Sequence, residues 1–194
     1  RMTQPNDNRM RQQIAGFIRQ KISEGPVYMD TETTGLDREA EIVEVAVVDT
    51  HGQVILQSFV KPGRPIPLDA TAIHGITNEM VQTAPSWPIL WQSLRGLLLG
   101  RPLGLYNAEF DLRLMEQSMR NYRLPWKETF NVIDVMRVYS DYRGEWDPYR
   151  RGKKIFRLEE AGRYFKIGIP NAHRAAADTL LTRAVFHSMA GLDY

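Results

Sequence analysis

Apolar positions recur along this chain with two different periods, and the changes of period mark out its elements. Over 9–23, Met10, Ile14, Phe17, Ile18 and Ile22 share one stripe at helical spacing, with Arg and Gln elsewhere. Gly25-Pro26 then ends the helix. Val27 to Thr31 reads as a strand. From Glu41 to Thr50, the run Ile42, Val43, Val45, Ala46, Val47, Val48 is nearly continuous, as in a central strand covered on both faces. His51-Gly52 turns the chain and 53–61 returns as a third strand, so the first three strands form an antiparallel meander. A loop is expected at 62–67, and Thr77 looks like a helix start. Helices are expected at 86–99, 109–122, 136–141, 158–166 and 174–190, with short strands at 102–107 and 129–135. Residues 142–157 read as an irregular insertion. Strands first, then strands alternating with helices, predict an α/β domain: a mixed five-stranded sheet with helices on both faces.

Composition narrows this little. The 194 residues suit one full-sized core, with a body over 26–194 and a helical extension over 1–25. No run approaches the roughly 20 apolar residues that cross a bilayer, so no membrane partner is expected. The chain lacks cysteine, which excludes disulfides and thiolate metal sites. With no secretory pattern at its start, the expected location is cytoplasmic. Net charge is only +2. Its distribution says more: Arg143, Arg150, Arg151, Lys153, Lys154 and Arg157 outnumber Glu145 and Asp147 in one segment, leaving the rest of the chain slightly acidic.

The chemistry starts at Asp30 and Glu32. On a strand, residues i and i+2 face the same way, so these carboxylates point together. Neighbouring like charges resist ionising, and a hard cation such as Mg²⁺ resolves the conflict. Alone, an Asp-x-Glu is more often a solvated rim. Asp111 falls where the 102–107 strand passes into a helix, the kind of junction at which α/β sheets form sites. It would also suit the positive end of that helix without further purpose. His173 and Asp178 are about 140° apart if both lie on one helix. They can share a site only if His173 lies in the preceding loop, which Pro170-Asn171 makes plausible. Asp178 among Ala176, Ala177, Leu180 and Leu181 would need a partner if buried.

In Asp30-Thr31-Glu32-Thr33-Thr34-Gly35-Leu36, Asn107-Ala108-Glu109-Phe110-Asp111, the His173 to Asp178 pair and Ile73-His74-Gly75-Ile76-Thr77, the chain resembles the DEDDh 3′–5′ exonucleases. That family includes proofreading subunits of bacterial DNA polymerases and ribonuclease T. The resemblance covers about 26–190, with the motifs in order. It implies an RNase H-like fold and a two-metal hydrolase releasing nucleoside 5′-monophosphates from the 3′ end of single-stranded nucleic acid. Asp30, Glu32, Asp111 and Asp178 would hold two Mg²⁺, for which Mn²⁺ would substitute. Asp30, Glu32 and Asp178 would share one ion, with Asp111 near the other. His173 would be the general base. Thr33, Leu36, His74 and Phe110 would contact the terminal nucleotide, Leu36 as a wedge.

Asp134, a frequent acid of the family, reads as a helix cap. Tyr106 stands where members often carry His, and the basic insertion exceeds a minimal core. A polymerase or repair assembly is a possible partner. DNA is favoured; RNA trimming, a non-catalytic binding module and a small phosphatase are the alternatives. The insertion either grips the strand or is a solvated loop.

Overall fold

The computed structural model describes residues 5–194. Residues 1–4, part of the expected N-terminal extension, and the side chains of 5–7 lie outside the described residues. The chain opens with helix α1 (Pro5–Ser23), then the meander β1 (Val27–Thr33), β2 (Ile42–Val48) and β3 (Val54–Phe59). Two short helices follow, α2 (Leu68–His74) and α3 (Asn78–Val81). Next come α4 (Trp87–Leu98), β4 (Pro102–Leu105), α5 (Ala108–Arg120), β5 (Asn131–Asp134) and α6 (Val135–Arg143). A small hairpin, β6 (Trp146–Asp147) with β7 (Gly152–Lys153), precedes α7 (Leu158–Tyr164) and α8 (Ala175–Ser188).

The five main strands lie in the order β3-β2-β1-β4-β5. β1 pairs antiparallel with β2 and β2 with β3, while β4 runs parallel to β1 and to β5. The mixed five-stranded α/β sheet expected from the sequence is the observed one. β2 is buried at all seven positions, as its continuous apolar run required.

Strand alternation sends side chains into two separate cores. Val27 and Met29 join Val45, Val47, Leu103 and Leu105 beneath α4 and α5, where Trp87, Trp91, Leu94, Leu114 and Met115 close the layer. Tyr28 faces the other side, toward Leu181, Val185 and Phe186 of α8 and Ile14 and Ile18 of α1. Gly104 pairs with Tyr28 in the ladder. A Cβ there would come 2.5 Å from the Tyr28 ring, so only glycine lets β4 lie against β1 with that tyrosine beneath it.

Three details differ from expectation. Residues 68–74 form a helix, ended by Gly75 in the left-handed conformation (φ 73°), its N–H on Thr71 O. Seven residues are too few for a helical period to stand out. The 142–157 insertion contains an ordered hairpin whose two-residue strands leave no alternation to read. The α1 stripe is narrower than the sequence suggests. Ile14 and Ile18 are buried in the second core, whereas Met10 and Phe17 are exposed. Arg11 donates to Tyr142 O and Arg19 to Ala190 O, tying α1 to the segments around α6 and α8. No described helix is long and apolar enough to cross a membrane.

Candidate active site

The acids converge at one end of the central strands. Asp30 and Glu32 stand on β1, on the Tyr28 side of the sheet, and α8 brings Asp178 over them. Carboxylate oxygens of these three all lie within 4.8 Å of one another. Asp111 arrives from the opposite side, in the first turn of α5, where Thr31 Oγ1 donates to its Oδ1 at 2.7 Å. Thr31 thus takes up one oxygen of Asp111 from between Asp30 and Glu32. The ladder slips by one residue between Glu32 and Thr33, the kind of bulge that ends regular pairing and re-aims side chains.

No cation of the described protein neutralises this cluster as a whole. Burial, then the charges of Asp111, Glu32 and Asp178, holds Asp30 well above the ordinary carboxylate range. Burial, then Asp178 and Glu44, lifts Glu32 to about 8. Burial raises Asp111 to about 7 against the Thr31 hydrogen bond. Asp178 is lifted to about 6 by burial, held back by Ala172 N–H and the nearby His173. Four acids that resist ionising together are the donor set of a hard divalent cation. The residues present therefore fit the metal that the sequence implies.

The loop before α8 places the rest. His173 is exposed and lies in the left-handed region (φ 48°), outside the helix, while Asp178 is within its first turn. Ala172 N–H donates to Asp178 Oδ1 at 3.1 Å. With its amide nitrogen inward, Asn171 donates to both Asp178 oxygens at 3.2 Å. The loop position that lets His173 and Asp178 share a site is the one observed.

Beside the carboxylates lies a pocket of about 560 Å³, lined by Thr33, Leu36, His74 and Phe110 together with Glu32 and Asp69. The sequence-selected contact residues are thus brought to one place. They are not alike. Thr33 Oγ1 donates to Gly35 O. His74 accepts from Ile76 N–H through Nδ1 and meets Thr33 O through Nε2, both at 3.0 Å. Burial lowers its pKa, consistent with a neutral ring holding the pocket wall. Leu36 is 78% exposed, a knob on a loop.

Two supports were not evident in the sequence. Glu44 is 1% exposed and lies opposite Glu32 in the ladder. Arg174 donates to it twice, at 3.0 and 2.9 Å, and Ala175 N–H adds a third bond at 3.1 Å. That clamp fixes the start of α8 against β2, and with it His173 and Asp178. A lone acid inside the apolar run of β2 was the available signal. The second support is α5. Arg113 donates to Leu36 O and Asp37 O, and buried Gln117 to Asp37 O and Ala40 O. These bonds hold the Leu36 loop. Nothing in the sequence linked residues so far apart.

The two departures from the family pattern prove to be connected. Tyr106 donates to Phe156 O at 2.9 Å, bracing the exit of the insertion. Asp134 caps α6 through Met136 N–H and Arg137 N–H, and also accepts from Ala108 N–H at the start of α5.

A mixed sheet with acids gathered at the ends of its strands, beside a pocket of nucleotide size, is the arrangement of a nuclease domain. The chain belongs to the exonuclease family, whose RNase T-type model matches residues 27–186. It is 36% identical over 175 residues to an uncharacterized exonuclease, CP81, of Escherichia phage 186, covering 87% of this chain and 90% of that one. It is 24% identical over 175 residues to the DNA polymerase III epsilon subunit of Rickettsia typhi, covering 85% and 73%. Among solved structures, exonuclease X bound to 5′-overhanging duplex DNA superposes with a TM-score of 0.64 at 25% identity, covering 87% and 94%. The matched family segment begins after α1.

Proposed function

We propose that this chain is a 3′–5′ exonuclease that hydrolyses the terminal phosphodiester of single-stranded nucleic acid, DNA in preference to RNA, with two Mg²⁺ ions. The observation that carries this is the convergence of Asp30, Glu32 and Asp178 within 4.8 Å, with Asp111 beside them, at the mouth of the Leu36 pocket. Asp30, Glu32, Asp111 and Asp178 would hold the ions, which when bound supply charge for the developing negative oxygens. The side chains do the rest. Thr33, Leu36, His74 and Phe110 seat the terminal nucleotide, Leu36 separating its base from the next. His173, exposed on its loop, takes a proton from the attacking water. The P–O3′ bond breaks, the departing O3′ takes up a proton, and a nucleoside 5′-monophosphate leaves. The DNA preference draws support from the relative bound to overhanging duplex DNA. Resemblance to epsilon subunits makes a polymerase or repair assembly the partner to test.

The test is digestion of matched DNA and RNA single strands, labelled at either end, with Mg²⁺ or Mn²⁺ and with excess chelator. Mononucleotides should leave from the 3′ end, faster from DNA, and Asp30→Ala should abolish the reaction. Undiminished digestion in chelator, or release from the 5′ end, would overturn the reading.

A further inference from the structure

We propose that the β6–β7 hairpin is a grip for the single strand that feeds the active site, with Tyr149 as its stacking platform; this rests on the nuclease reading above. Tyr149 sits at the hairpin tip and is 96% exposed, and Trp146 on β6 is 65% exposed. Neither ring contributes to the hydrophobic cores. The tip is nonetheless shaped: Asp147 Oδ1 accepts from Tyr149 N–H at 2.9 Å and Arg150 N–H at 3.2 Å.

Arg157, the cap of α7, aside, the cations of the insertion divide into two sets. At its base, Arg143 and Lys154 pair with Glu145 and Lys153 with Asp141, so that set holds the hairpin to itself and to α6. Toward the tip, Arg150 reaches Asp147 only at 3.9 Å. Among the described residues Arg151 is in no ion pair. Positive charge with little internal pairing and the exposed Tyr149 ring therefore coincide at the tip. The base is anchored by the Tyr106 bond to Phe156 O and by Ser140 Oγ on Lys154 O.

The position suits the role. A cleft of about 570 Å³ separates the hairpin from the β4–α5 junction, with Asn107 on one wall and Arg137, Arg150 and Lys153 on the other. Asn107 caps α5, the helix whose first turn carries Asp111, so the cleft reaches the start of the element that supplies one of the acids. Glu109 and Asp141 share the walls, Asp141 neutralised by Lys153. Exposed rings interleaved with arginines fit stacked bases and phosphates. A protein partner would favour a patch whose centre is depleted of charge.

Binding and hydrolysis of a long single strand and of a dinucleotide, measured side by side over a salt series, test this. Tyr149 packs against no described core, so Tyr149→Ala leaves folding intact. It should weaken long-strand binding about fivefold or more, the lower end of what one stacked base contributes. Arg150→Ala with Arg151→Ala should flatten the log–log salt dependence by about 0.7 for each phosphate no longer neutralised. Dinucleotide hydrolysis should be spared in both. Equal losses on the two substrates, or none on either, would overturn the grip, the second result pointing to a protein partner at the tip. Failure of the nuclease reading would show separately, as absent dinucleotide hydrolysis by the unmodified chain.

Discussion

Glu44 stands opposite Glu32 on the neighbouring strand, and two such acids side by side call for a cation. Arg174 supplies it. Burial alone would raise the Glu44 carboxyl, but the Arg174 hydrogen bonds and Ala175 N–H outweigh it and hold the pKa below its ordinary value. Arg174→Ala should therefore cost about 1.5–3 kcal/mol, the range for hydrogen bonds to a charged group, as read by chemical denaturation. It should also slow hydrolysis, because the start of α8 carries both His173 and Asp178. Glu44→Gln keeps the shape and should cost less. His173→Ala is a different kind of change, since the ring is exposed and packs into none of the cores. It should lower the rate roughly 10²–10⁴-fold, the usual contribution of a general base, while calorimetry shows metal and nucleotide binding intact. Near-normal turnover in that variant would remove His173 from the reaction.

At the scale of elements, the contact between β1 and β4 depends on one missing methyl group. Gly104→Ala would drive a Cβ into the Tyr28 ring and should cost about 1–3 kcal/mol, the usual penalty for overpacking, with a lowered Tm as the readout. The α1 helix makes a second test. Ile18 is 0% exposed in the α8 core, so Ile18→Ala should destabilise the whole domain by about 2–5 kcal/mol. If α1 were a detachable extension, the melting of the body would not move. The sequence set this helix apart because the family resemblance covers only about 26–190. Its hydrogen-bond partners, Tyr142 on α6 and Ala190 just past α8, lie more than a hundred residues away.

For the whole molecule, the acid cluster couples stability to pH and metal. Folding raises the pKa of Glu32 to about 8 and of Asp111 to about 7. The native state then binds more protons than the unfolded chain between the ordinary carboxylate range and those values. Stability must fall as pH rises through that window. Chelator-treated protein should lose Tm from about pH 5 to pH 8. Added Mg²⁺ or Mn²⁺ should restore more at the upper end of that window than at the lower. About 1 kcal/mol corresponds to roughly 2–4 °C for a chain of this size, so scanning calorimetry resolves the effect. A Tm that rises with pH in chelator would contradict it.

What the sequence by itself determined was whatever follows from short range and simple periodicity. The Asp30 and Glu32 pairing came from strand alternation, the central strand from the unbroken run in β2, and Asp134 as a cap from its place before α6. The identity and order of the acids also sufficed for the family. Tertiary structure decided what depends on residues distant in the chain. It brought Asp178 over β1 and Asp111 in from the other face. It tied Glu44 to Arg174 across 130 positions and held the Leu36 loop from α5. It also turned Tyr106 toward the hairpin. The physical reason is that a local pattern reports only which face of an element is apolar. A carboxylate's neighbours, and so its charge state, exist only once the sheet and its covering helices have come together.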